Sequence, residues 1–276
     1  TCGILAPMRE RVPMAKLQEA DYGAGRDYAY GSPHLTHPQL TARIEAQLHA
    51  LVTDLVEQHG QCRVVEVGAG HGTFTSTLLA AGASVAVTEM SAPSAAVLTE
   101  KFAGDERVTV VHDPEGTAAA DLVAAGCEAL VYVSVLHHIP DYLTAVGELV
   151  AEMPPGSAFY STMDPTWYPD RTRATHVAEQ GSYLAWRITQ GNLGRGLVTR
   201  WRRLRHGYVE SEPSDMVEFH TVRQGVDQHA LMRLLETHFA DVELDEFWST
   251  QGSLFQRLGE RTSLACTFGI TARHHT

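Results

Sequence analysis

Short, β-branched apolar runs recur through the middle of the chain, at Arg63–Val67, Ser84–Glu89, Val108–His112, Ala129–Val135 and Ala158–Met163. Between them lie stretches whose apolar residues return every three or four positions: Phe74–Ala81, Ala92–Phe102, Ala118–Ala125 and Tyr142–Met153. The first pattern predicts buried strands and the second amphipathic helices. Strand and helix in alternation imply right-handed βαβ units and a parallel sheet covered on both faces. Nearly uninterrupted apolar strands suit that double burial. Ahead of the alternation, Pro38 opens a predicted long helix carrying Leu40, Ile44, Leu48, Leu51 and Leu55 at helical spacing, and Gly60 ends it. Beyond residue 164 the regularity fails, then resumes with a helix at Gln228–Phe239 and strands at Asp241–Phe247 and Leu264–Ala272. The pattern therefore predicts an α/β, doubly wound domain. It divides into an N-terminal helical arm and helix (1–59), a sheet domain (60–164 and 213–276) and an α-helical lid insertion (165–212).

Composition narrows the class. A chain of 276 residues, 44% hydrophobic, can bury a sizeable core as one large domain or one domain carrying an insertion. Its longest clean apolar stretch, Ala129–Leu136, is too short to span a bilayer, so no membrane partner is expected. The opening "TCGILAPMRERVPMAK" lacks a charged start followed by a long apolar segment, and no secretory signal is expected. Cys2, Cys62, Cys127 and Cys266 lie far apart, which favours reduced thiols in a cytoplasmic protein over a disulfide framework or zinc site. A net charge of −12 argues against a general nucleic-acid binder.

The candidate chemistry begins at "VVEVGAGHGTFT", Val64–Thr75, a strand running into a glycine-rich loop and then a helix. Its pattern is Glu66-x-Gly68-x-Gly70-x-Gly72. A dinucleotide fingerprint needs glycine at position 73, which is Thr73 here, and the Gly-Lys-Ser/Thr ending of a phosphate loop is absent. Glu66 would repel a diphosphate but suits an ammonium or sulfonium group. Glu89 ends the next strand, at about the offset where a carboxylate receives a ribose diol. Asp113 ends the third, where an oxygen can accept an adenine amino proton. Acids at three successive strand ends trace a nucleoside lying across the sheet.

These residues, with His112-Asp113 and "SVLHHIPD" at Ser134–Asp141, resemble the class I S-adenosylmethionine-dependent methyltransferases, and among them the small-molecule, natural-product enzymes. The resemblance covers roughly residues 60–165, and the elements at 228–272 fit the family's C-terminal sheet. It implies a Rossmann-like, seven-stranded, mostly parallel sheet with S-adenosyl-L-methionine as cofactor. By position, Gly68, Ala69 and Gly70 would approach the methionine part, Glu66 its amino group and Glu89 the ribose. Met90 would face the adenine, Asp113 would bind its amine, and Ser134 and Val135 would lie under the sulfonium. His137, His138 and Asp164 occupy the places where some small-molecule O-methyltransferases deprotonate or orient the acceptor; a His here can equally bond backbone. No ligand spacing for a metal is evident, His34, His37 and His71 included, and the role of His71 stays open.

Transfer is an in-line displacement at an electrophilic methyl, so proximity supplies much of the rate, and a base is needed only for a protonated acceptor. Two aromatic segments are expected to enclose that acceptor. One carries Tyr22, Tyr30 and His34; the other carries Trp167, Tyr168, Trp186 and Trp201. Aromatic lids favour a small, largely apolar molecule, and the same aromatics would equally serve the lid's own core or a subunit interface, so a homo-oligomer fits. The insertion is also basic, and its arginines are expected to pair with Glu210, Glu212, Asp215 and Glu218. Oxygen or nitrogen methylation of a specialised metabolite leads. Methylation at an alkene or aromatic carbon, with carbocation cyclisation to follow, stays open behind it. So, more remotely, do an RNA substrate and a non-methylating protein that keeps the cofactor.

Overall fold

The computed structural model describes residues 16–17, 29, 31–191, 201–203, 205, 207–209 and 212–276. Tyr22 and Tyr30, expected at the acceptor, lie outside these residues.

Seven strands form one sheet: β1 (Arg63–Val67), β2 (Ser84–Glu89), β3 (Val108–His112), β4 (Ala129–Val133), β5 (Ala158–Pro165), β6 (Phe239–Phe247) and β7 (Thr267–His275). Their order is β3-β2-β1-β4-β5-β7-β6. The first five are parallel, and β7 runs antiparallel to both β5 and β6. The chain order reverses between β1 and β4, so their carboxyl ends form the crevice where a doubly wound sheet receives its ligand.

Ten helices accompany this sheet among the described residues: α1 (Pro33–Thr36), α2 (Pro38–His59), α3 (Thr73–Ala80), α4 (Ala92–Lys101), α5 (Ala118–Ala124), α6 (Tyr142–Ala151), α7 (Arg173–Thr189), α8 (Pro213–Met216), α9 (Gln228–Leu235) and α10 (Ser253–Gly259). Strand parity assigns the two cores. Val64, Ala129, Val131, Ala158 and Tyr160 face α2 and α3, where Ile44, Leu48, Leu51 and Leu78 are buried. Val65, Leu130, Tyr132 and Phe159 face the other way, against Val146, Val150, Leu231 and Leu235 of α6 and α9. Each valine, leucine, isoleucine or phenylalanine among them contributes roughly 1.5–3 kcal/mol on burial. α2 has proline in its first turn and closes on Gly60 in the left-handed conformation (φ 76°), where the Gly60 N–H reaches Val56 O.

The departures from expectation lie at the edges of elements. β4 stops at Val133, because Ser134 turns to φ +61°. β7 begins at Thr267, three residues later than the apolar pattern suggests. The intervening chain forms α10, held by Trp248: a Cβ on Gly259 would sit 2.1 Å from the indole Cδ1. α9 ends at Leu235 because Phe239 joins the sheet opposite His275. Within β5 the pairing to β7 slips between Thr162 and Asp164, and Met163 lies at φ +69°. This bulge adds one residue and reverses the parity of the strand. Met163 accordingly joins the α2 core with Tyr160, and the Asp164 carboxyl comes round to Ser161, whose Oγ donates to Oδ2 at 3.2 Å.

In the insertion, α7 opens on Thr172, whose hydroxyl accepts the Thr175 N–H at 3.1 Å. It is tied to the body by Ser182 Oγ and Thr250 Oγ1 at 2.9 Å, and by Arg171, which pairs with Glu179 and donates to Cys266 O. Farther on, Asp215 is fully buried and accepts from Arg202 Nη1 (2.7 Å), Arg203 Nε (2.6 Å) and the Val209 N–H (3.0 Å). Of the acids expected to meet arginine, Asp215 takes this pair; Glu210 lies outside the described residues. No helix among the described residues is long and apolar enough to cross a membrane.

Candidate active site

The glycine loop runs from the end of β1 to α3, with Gly68, Gly70 and Gly72 all at positive φ. At Gly68 the requirement for glycine is double: φ is +70°, and an added Cβ would lie 2.8 Å from Val135 Cγ2. That approach joins the loop to the segment following β4. Lys101 of α4 braces the loop from outside, its Nζ donating to His71 O (3.1 Å) and Gly72 O (2.6 Å). His71 sits half-buried at the loop's bend, and burial followed by the Lys101 charge lowers its pKa.

Two of the strand-end acids hold this loop, and all three carry bonds within the chain. Glu66 is buried and accepts from Thr75 Oγ1 at 2.5 Å. Burial lifts its carboxyl to about 7, against the Thr75 bond and the Lys101 charge. Glu89 spans two amides, Oε2 accepting from Gly70 N–H and Oε1 from Ser91 N–H, each at 2.9 Å. Burial also raises its pKa, opposed by these backbone bonds. Asp113 accepts from the Thr117 N–H (3.0 Å) and Ala118 N–H (2.9 Å) at the start of α5. Met90 follows Glu89 directly and its methyl lies near Gly116, 3.5 Å from where a Cβ there would stand.

Beyond Val135, a single 3-10 turn, Leu136–His138, carries the two histidines. Asp164, fully buried, accepts from both the backbone N–H (3.0 Å) and Nδ1–H (2.8 Å) of His137 through the same oxygen, Oδ1. The far ring nitrogen, Nε2, stands 3.5 Å from Glu218 Oε2. Burial opposes the imidazolium, but the Asp164 bond and the Glu218 and Asp164 charges outweigh it, and the pKa of His137 moves up. His138 packs on His137 with ring centroids 4.0 Å apart and gives its Nδ1–H to Val217 O. Burial, then the neighbouring His137, pushes it down to about 4. The turn carrying Glu218 is also bonded to this one by His220 N–H to His137 O at 2.9 Å.

Sequence reasoning placed Glu218 among the arginine partners and missed it at His137; nothing local in "DMVEFH" separates it from its acidic neighbours. No metal ligand spacing was legible either, yet one nitrogen of each histidine and a Glu218 oxygen lie within 4.8 Å of one another.

The residues expected around the acceptor are dispersed. His34 is buried beside Phe74 (ring centroids 6.0 Å), within electrostatic reach of His137 and Asp164, and its Nδ1 has no hydrogen-bond partner. Burial, then His137, lowers its pKa to about 4. Trp186 of α7 reaches toward Gly31, 3.8 Å from where a Cβ would be. The Trp167 N–H is bonded to Gln228, Tyr168 donates its hydroxyl to Thr221 O (2.6 Å) beneath Arg171, and Trp201 is exposed under Arg205.

No protein-family model and no curated protein matches the chain in sequence. Solved structures do match. The N-methyltransferase NodS of Bradyrhizobium japonicum WM9, in complex with S-adenosyl-L-homocysteine, aligns over 96% of this chain and 99% of its own at 13% identity and TM-score 0.53. The chain has the class I methyltransferase fold. A Haemonchus contortus phosphoethanolamine N-methyltransferase 2, bound to phosphomonomethylethanolamine and S-adenosylhomocysteine, aligns over 98% of this chain and 62% of its own, at 12% identity and TM-score 0.54. The magnesium protoporphyrin IX methyltransferase of Synechocystis PCC 6803, with bound S-adenosylmethionine, aligns over 97% of this chain and 100% of its own, at 11% identity and TM-score 0.50. Against this methyltransferase fold, the glycine loop stands at β1, Glu89 at β2, Asp113 after β3 and the histidine turn after β4.

Proposed function

We propose that the protein transfers a methyl group from S-adenosyl-L-methionine to oxygen or nitrogen of a small, largely apolar specialised metabolite. The observation that carries the reading is the close approach of Val135 to Gly68, two residues before His137, which Asp164 holds by two hydrogen bonds. It sets a candidate proton acceptor beside the loop that would hold the methyl donor. In this reading Gly68, Ala69 and Gly70 receive the methionine part and Glu66 its ammonium. Glu89 takes the ribose hydroxyls, Met90 covers the adenine, Asp113 accepts from its amine, and Ser134 and Val135 lie under the sulfonium.

The chain's own residues then do two things. The Nδ1–H of His137 is given to Asp164, so the neutral ring keeps its lone pair on Nε2, where an acceptor's proton can go as the S–CH3 bond breaks and the new bond forms. His34, within electrostatic reach of His137 and Asp164, stands at the approach and helps exclude water. His138, held neutral, contributes shape and a fixed hydrogen bond rather than charge.

Calorimetry with S-adenosylmethionine, followed by S-adenosylhomocysteine release against a panel of aromatic hydroxyl and amino compounds, tests the proposal. Cofactor binding with release of the product by a hydroxyl or amine supports it. Failure to bind the cofactor overturns it. Turnover only with alkenes or arenes, insensitive to His137→Gln, moves the methyl to carbon.

A further inference from the structure

We infer that His137, His138 and Glu218 form a site for a divalent transition-metal ion. This goes beyond the methyl-transfer proposal and shares its His137–Asp164 pair, but with a metal on Nε2 that ring no longer has a lone pair for the acceptor's proton. The three side chains offer one donor atom each, all within 4.8 Å of one another. Ligands at about 2.0–2.1 Å on a tetrahedron lie roughly 3.3–3.4 Å apart, and His137 Nε2 already stands 3.5 Å from Glu218 Oε2. The remaining pairs, within 4.8 Å, must close by at most about 1.5 Å.

The second observation is how each ring is held. A metal-ligating histidine gives its other N–H to a carboxylate or a backbone carbonyl, which fixes the tautomer and turns the lone pair toward the ion. Both histidines do this. His137 Nδ1 is held by the buried Asp164 carboxylate, and His138 Nδ1 by Val217 O. Since a carbonyl oxygen only accepts, His138 carries its proton on Nδ1 and its lone pair on Nε2. The two anchors come from separate parts of the chain, β5 and the turn at 217–220, and the second of these also delivers Glu218. The His220 N–H to His137 O bond locks that turn to the histidine turn. A base catalyst needs one such ring; two adjacent rings anchored alike, with a carboxylate closing the third corner, describe a ligand set.

Two nitrogens and one carboxylate suit zinc or another first-row ion such as manganese or iron(II), and they leave coordination positions open. The chemical class such a site admits is an acceptor with a hydroxyl or carboxylate oxygen. A hydroxyl ligated there ionises near neutral pH, its proton passing to solvent. The oxygen is then ready to attack a methyl donor with no base required.

The test is calorimetry of chelator-treated protein with ZnCl2, repeated on Glu218→Ala and His138→Ala, with circular dichroism as the check on folding. One zinc ion per chain, with affinity at least tenfold weaker in each folded variant, is the expected result. Visible d–d absorption of bound Co2+ in the parent, altered in both variants, should accompany it. Absence of stoichiometric zinc binding overturns the inference, and so does binding that both variants leave unchanged, which would place the ion on other histidines. If neither variant folds, the Co2+ spectrum of the parent decides, and a spectrum without nitrogen ligation sinks the site. Neither cofactor nor acceptor is present in these measurements, so their failure leaves the methyl-transfer reading standing, and loss of that reading leaves the metal site standing.

Discussion

Asp164 receives both the backbone N–H and the ring Nδ1–H of His137 on one carboxylate oxygen. A single buried acid thus fixes where the turn sits and which tautomer its imidazole adopts. Replacing it by Asn keeps the shape but offers a neutral carbonyl or an amide donor instead. Asp164→Asn is expected to lower kcat by about 10²–10⁴-fold, the range for removing effective proton transfer. The dissociation constant for S-adenosylmethionine, which would sit across Val135, should stay within a few-fold. Single-turnover kinetics alongside calorimetry separate the two effects, and an equal loss in both would make Asp164 merely structural.

If Glu66 receives the cofactor's ammonium as proposed, cofactor binding becomes a proton-linked event. Burial lifts its carboxyl to about 7 in the ligand-free protein, from an ordinary 4.5. A raised carboxyl stabilises the fold fully below the ordinary value, and that contribution is lost as pH climbs through the folded value. The ligand-free protein should therefore lose on the order of 3 kcal/mol of this contribution between about pH 4.5 and 7. A bound ammonium favours the ionised form, so S-adenosylmethionine should expel close to one proton at about pH 6 and almost none by about pH 8. Calorimetry in buffers of different ionisation enthalpy reads that number. Glu66→Gln should abolish the pH dependence; proton release that survives the substitution would assign it to another group.

At Gly68 the backbone and the side-chain space can be tested separately. Gly68→Ala should destabilise the protein by about 2–4 kcal/mol in denaturant unfolding, combining left-handed strain with the contact on Val135. Val135→Ala in the same chain removes the contact and should recover all but about 1–2 kcal/mol, the part owed to φ. No recovery would show that the loop meets something other than Val135.

Asp215 anchors the stretch that presents Glu218. Substituting Asn leaves two arginines around a neutral group in a buried place, and a cost of roughly 2–4 kcal/mol is expected, trimmed by the partial exposure of both arginines. The visible consequence should be faster amide exchange across residues 201–223 and a raised KM for the acceptor, with cofactor affinity unmoved. Unchanged exchange in that stretch would detach it from Asp215.

The glycine loop, Glu66, Glu89 and Asp113 were legible because each is a local matter, a short polar signal at the end of an apolar run. The bonds those acids make within the folded chain were not. Their oxygens accept from Thr75 and from the amides of Gly70, Ser91, Thr117 and Ala118, bonds that depend on how neighbouring loops come to rest. Asp215 and Glu218 stand three residues apart in one acidic stretch, and only the tertiary arrangement sends the first to Arg202 and Arg203 and the second to His137. α10 escaped notice for a different reason. It is a short helix whose closing glycine makes room for the Trp248 ring, a fit that no periodicity announces. Tyr168, read as a wall of the acceptor site, closes its hydroxyl on Thr221 O, a partner 53 residues away that no local pattern names.

The slip in β5 at Met163 carries an implication for how this site can change. Sidedness in a strand is a matter of counting, so the position of the Asp164 carboxylate is written in the length of β5 as much as in its letters. Were Met163 drawn into regular strand pairing, simple alternation would turn the acid into the hydrocarbon layer beneath α2, whereas excising it removes only the extra residue and leaves the acid on the side of Ser161. A variant library that exchanges residues in β5 would explore activity gradually, whereas one that adds a further residue beside Met163 would turn the acid to the other face in a single step.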